Sequence, residues 1–120
     1  MKQAAVFFFY FTFSHLYASE MDALLFHGNC TTCHFELEDK SAPSMLKVRA
    51  QYLQAFPEKE DFVKYMSAWV ANPSEETSIM LEAVKKYELM PHLAFEKDTL
   101  QDISSYIYDT DFTKEHLKHK

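Results

Sequence analysis

Five consecutive residues, Cys30-Thr31-Thr32-Cys33-His34, constrain this chain most, because they contain its only two cysteines. Four chemistries use such a pair. A disulfide is open to any exported protein with two Cys. A redox C-x-x-C normally begins a helix after a strand in a βαβ unit, and no strand pattern precedes this one. A closed zinc site needs a second Cys or His pair at matching spacing; His27 and His34 could be argued as ligands, but the geometry of a closed site is not evident. The remaining reading is covalent haem attachment, for which C-x-x-C-H is the signature. Each thiol adds across one vinyl group of the porphyrin, and the two-residue spacer sets the sulfurs at the separation of those vinyls. His34 then falls beneath the iron as an axial ligand.

The start of the chain supports that reading. Lys2 precedes an apolar run of about ten residues, AAVFFFYFTF, which ends at the small-residue exit Tyr17-Ala18-Ser19. The run is too short to span a bilayer, which takes about 20 residues. Residues 1–18 are therefore expected to be a signal peptide cleaved after Ala18, which takes His15 with it and sends the chain to the periplasm, where haem is attached. The mature chain carries 11 basic and 18 acidic residues, a formal charge of −7. Nucleic acid is an unsuitable partner for such a surface, whereas a basic docking face is suited to it. Hydrophobic residues make up 48% of the chain and aromatics 16%, enough rings to enclose a flat apolar ligand. One Gly and four Pro argue against a turn-rich β protein. The expectation is all-α, with a domain over 19–112 and a flexible basic tail over 113–120.

Around the motif the chain resembles the small monohaem class I c-type cytochromes of bacterial periplasms, from about Asp22 to Tyr108. Phe26, four residues before Cys30, sits where the family has an aromatic on its first helix. That helix is read as Glu20 to His27, with Ala23, Leu24 and Phe26 facing inward and His27 facing solvent. Ala42-Pro43-Ser44-Met45 is similar to the family's Gly-Pro-x-Leu segment, which implies that the Pro43 carbonyl accepts a hydrogen bond from His34. Trp69-Val70-Ala71-Asn72-Pro73 resembles the end of the central helix, along which Phe62, Met66 and Trp69 recur at helical spacing. A last helix capped by Asp98 has Leu100, Ile103, Tyr106 and Ile107 on its inner face. One departure is Asp22, which stands where the family uses Gly for a close helix crossing. Another is an extra helix expected from Glu75 to Tyr87, with Ile79, Ala83, Val84 and Tyr87 on one side. The resemblance implies a cytochrome c-like fold of four to five short helices wrapped around one covalent haem c, with Phe26, Pro43, Trp69 and Pro91 as candidate pocket residues.

The distal iron ligand decides what such a protein does, because a Met thioether closes the site for electron transfer while an open site binds gases or peroxide. Met90 is the first choice. It lies sixteen residues before Tyr106, as the resemblance implies, and is followed by Pro91. Met80, expected inside a helix, and His92 are second choices; Met45 and Met66 read as core. No nucleophile–base arrangement or carboxylate pair stands out, so catalysis by the protein itself is not expected. The leading expectation is a soluble, monomeric one-electron carrier, touching membranes only transiently. Its implied partners are a quinol-oxidising complex and a terminal oxidase, reductase or peroxidase. A haem-binding subunit of a larger reductase or oxidase, and a five-coordinate gas-binding sensor, are the alternatives. Salt-sensitive transient binding would favour the carrier over the subunit, and rapid carbon monoxide uptake would favour the sensor.

Overall fold

The structure, a computed structural model, describes residues 20–114; the expected signal segment and residues 115–120 of the tail lie outside them. The described residues are helical, with no strand among them. Helix α1 covers 20–29. It is followed by α2 (Met45–Ala55), α3 (Lys59–Ala71), α4 (Leu81–Tyr87) and α5 (Lys97–Asp109). A short helical stretch occupies 112–114. No described helix is long and apolar enough to cross a membrane.

α3 and α5 form the main packing pair, and α2 leans on both. Phe26, Phe62 and Phe112 are the largest side chains shut away completely. Phe26 packs on Tyr106 and Phe112 at centroid distances of 5.2 and 5.4 Å, which fastens α1 to α5 and the chain end. Phe62 meets Tyr52 of α2 and Tyr108 of α5 edge-on, at 5.6 and 5.1 Å. Such pairs prefer offset or edge-on contact and add to plain burial. α5 follows its expected helical stripe, with Leu100, Ile103 and Ile107 buried.

Several local expectations are corrected. Leu24 of α1 is 66% exposed, and Leu25 packs against the core instead. His27 is half-buried, its ring against Phe26 and Tyr106 and its Nδ1 3.6 Å from Glu36. The helix expected from Glu75 starts only at Leu81. Side chains capture the intervening backbone: Trp69 Nε1 donates to Ser74 O, Tyr65 hydroxyl to Thr77 O, and Ser74 Oγ accepts from Thr77 N–H. Local side-chain bonds of this kind compete with helix formation. Asp98 does not cap α5, which begins at Lys97 after Glu96; it lies in the first turn, where a carboxylate suits the helix dipole.

The chain's only arginine, Arg49 on α2, closes the other end of α5. Its Nε donates to Ile107 O at 2.9 Å and its Nη2 to Tyr108 O at 2.8 Å. Carbonyls in the last helical turn have no partner within the helix, so one forked guanidinium both satisfies them and ties α2 to α5. Asp22 of α1 is a weaker point. Burial, followed by the nearby Asp102 charge, raises its carboxyl above the ordinary value despite Lys59.

Arg49→Ala should therefore cost about 2 kcal/mol, read as a lower urea midpoint at unchanged slope, and Arg49→Lys should restore only part because it lacks the fork. For Asp22, a raised folded-state value means that ionisation opposes folding. The penalty is absent below the ordinary carboxylate range and complete above the raised value. Asp22→Asn should thus raise the melting temperature at neutral pH, with the gain vanishing in acid.

Candidate cofactor site

The turn that ends α1 presents the motif. Cys30 N–H bonds to Phe26 O and His34 N–H to Cys30 O, each at 2.9 Å, so the chain keeps coiling past the helix end. Asn29 and Thr31 side chains donate back to Leu25 O and His27 O, both at 2.7 Å. These bonds satisfy the terminal carbonyls of α1 without a glycine cap. The next segment folds back on α2, whose first N–H groups are taken by it: Met45 N–H bonds to Phe35 O and Leu46 N–H to Glu36 O.

Cys30, Cys33 and His34 all line one open cleft of about 1340 Å³, counting its mouth. Its walls are mostly apolar. Pro43 and Met45 stand near His34 in the chain; Val48 and Tyr52 come from α2, Met66, Trp69 and Val70 from α3, and Leu100, Ile103 and Ile107 from α5. Met80, Val84 and Tyr87 close one side with the segment Glu88 to Pro91, which contributes Met90.

His34 Nδ1 lies 2.8 Å from Pro43 O. A carbonyl oxygen has no proton to give, so Nδ1–H is the donor and the neutral ring keeps its lone pair on Nε2. Burial pushes the His34 value below the ordinary one, against the opposing pull of the Pro43 bond. The imidazole is therefore oriented and neutral at neutral pH, with Nε2 as its one acceptor nitrogen. Cys30 is half-buried, and burial pushes its thiol up to about 11, whereas Cys33 is exposed.

The two thioether candidates are held differently. Met80 is the residue before α4. Its N–H bonds to Ser78 Oγ and its carbonyl accepts from Ala83 and Val84. Met90 sits in a segment bracketed by Glu88 and Ala94, both in left-handed backbone at φ 71° and 49°. Such a conformation is unfavourable outside glycine.

Of the other sequence candidates, Pro43, Trp69 and Pro91 line the cleft, while Phe26 and His92 do not. Phe26 belongs instead to the seam between α1 and α5. Met45 and Met66 are 3% exposed and belong both to the core and to the cleft wall. Tyr52 was not among the sequence candidates. The spacing of Met45, Val48 and Tyr52 on one helical stripe was its signal.

Two thiols, one oriented imidazole and the thioethers of Met80 and Met90 thus share one apolar cleft. Among the described residues no three His, Cys, Asp or Glu side chains group as a metal site. No family model, no curated protein and no solved structure matches this chain.

The difference between the two thiols has a direct chemical readout. In the cofactor-free, reduced protein at pH 8, iodoacetamide should modify Cys33 well before Cys30, followed by peptide mass spectrometry. Equal rates would show that Cys30 is not shielded.

Proposed function

We propose that this chain is an exported c-type cytochrome with a cytochrome c-like fold, acting as a one-electron carrier in a periplasmic respiratory chain. The observation that carries this reading is the convergence of Cys30, Cys33, an Nδ1-anchored His34 and the thioether candidates Met80 and Met90 on one apolar cleft. When bound, haem would supply a one-electron iron couple.

In this reading the chain's residues do three things. Cys30 and Cys33 would hold the porphyrin through thioether bonds to its two vinyl groups. His34 Nε2 and the Met90 thioether would be the protein ligands of the iron, a pair that favours the reduced form. The apolar walls from α2, α3 and α5 would limit water around the cofactor, and Cys33 stands exposed at the cleft. The partners would be a quinol-oxidising complex as donor and a terminal oxidase, reductase or peroxidase as acceptor.

One observation favours the gas-binding alternative. No side chain from Glu88 to Phe95 makes a hydrogen bond or ion pair with another described residue, so only apolar packing holds the Met90 segment in place.

The test is the visible spectrum of protein made in a host that matures c-type haem, taken ferric, ferrous and after denaturation. Haem should remain on the denatured chain and be lost from a Cys30→Ala, Cys33→Ala variant. The ferric form should show the far-red methionine-to-iron band, and Met90→Ala should remove it where Met80→Ala does not. Loss of haem on denaturing wild type would end the proposal. A missing band with immediate carbon monoxide binding would replace the carrier with a sensor.

A further inference from the structure

Pro43 O and Ser44 N–H belong to the same peptide group. On its carbonyl side that group accepts from His34 Nδ1–H at 2.8 Å. On its amide side it donates to Asp39 Oδ1 at 2.7 Å. The result is a continuous chain from a carboxylate, through one peptide, to the imidazole. Ser44 is 1% exposed, so the middle of the chain lies out of water. Linked hydrogen bonds polarise one another, most strongly where the local dielectric is low. An anion at the amide end draws the peptide proton toward itself and leaves the carbonyl oxygen a better acceptor.

Metal-bound histidines commonly receive such support from a carboxylate or carbonyl touching the ring directly. Here both groups are present, in series. The Lys47 ammonium sits on the other oxygen of Asp39. That hydrogen bond, followed by the Ser44 N–H, holds the Asp39 carboxyl below its ordinary value, so the chain ends in a charge at neutral pH. Ser44 Oγ also accepts from Lys47 N–H at 3.3 Å, which starts α2 and fixes Lys47 beside the carboxylate.

We propose that Asp39 is a positioning residue for His34, acting through the Pro43–Ser44 peptide to increase electron donation by the imidazole and lower the reduction potential of the iron it holds. Lys47 acts in the opposite sense by drawing charge away from Asp39. The inference rests on the reading of His34 as an iron ligand. A stronger acceptor at Nδ1–H gives the ring partial imidazolate character, which stabilises the oxidised iron more than the reduced.

The test compares wild type, Asp39→Asn and Lys47→Met, each as haem-loaded protein whose spectrum shows His/Met ligation. Asn keeps an oxygen able to accept from Ser44 N–H, so the loop keeps its anchor and only the charge is lost. Two quantities are read. One is the reduction potential at low salt and at about 0.5 M salt, where exposed charges are screened within a few ångströms. The other is the His34 Nδ1–H proton resonance in the diamagnetic ferrous form, which moves downfield as that bond strengthens. Asp39→Asn should raise the potential and move the resonance upfield; Lys47→Met should do the reverse, and both shifts should persist at high salt. A potential shift that collapses with salt over a stationary resonance would reduce Asp39 to an ordinary surface charge. No change in either quantity would leave it a loop anchor, and the proposal would fall. If wild type itself carries no covalent haem, the parent reading fails first, and that outcome is visible before any potential is measured.

Discussion

The bond from His34 Nδ1–H to Pro43 O joins the turn that ends α1 to the segment that starts α2. Much of the local structure depends on it. For the bond to form, residues 35–42 must loop back, and the same loop delivers the Phe35 and Glu36 carbonyls to the first N–H groups of α2. Capping α2 places Met45, Val48 and Tyr52 along one wall of the cleft. The ring orientation and the wall are therefore set together. A neutral imidazole with its proton committed to Nδ1 has one nitrogen, Nε2, left to offer.

The rest of the molecule encloses that nitrogen. α3 and α5 pack on each other and hold the far walls, while Arg49 fastens α2 across the end of α5. α4 is only one side of the enclosure, and the Met90 segment after it lacks polar ties. The side tied by hydrogen bonds carries Cys30, Cys33 and His34. Burial pushes the Cys30 thiol up to about 11, which keeps it protonated and shielded beside the exposed Cys33.

Much of this was legible in the sequence, for particular reasons. Cys30, Cys33 and His34 stand close enough in the sequence to be read as one group, and the structure brings all three to one cleft. The stripe Leu100, Ile103, Ile107 was readable because a surface helix has one apolar side. Leu24 and Leu25 were not distinguishable in that way: both are apolar neighbours, and only the direction of approach of α5 chooses between them. The late start of α4 was hidden because Ser74, Glu75 and Glu76 make a plausible helix start, and only tertiary partners, Trp69 and Tyr65, divert the backbone. Asp39 carried no signal at all. Its importance comes from the loop geometry that brings it to the amide of Ser44, five residues on, and no periodicity encodes that.

The central claim is that Cys30 and Cys33 are bonded to haem in the mature protein. Intact-mass and peptide mass spectrometry of the exported chain test it most directly. The account predicts one chain beginning at Ser19 with the mass of one haem added, the addition located on the peptide containing Cys30 and Cys33. A chain with no added mass, or lighter by two hydrogens from a Cys30–Cys33 disulfide, would contradict it.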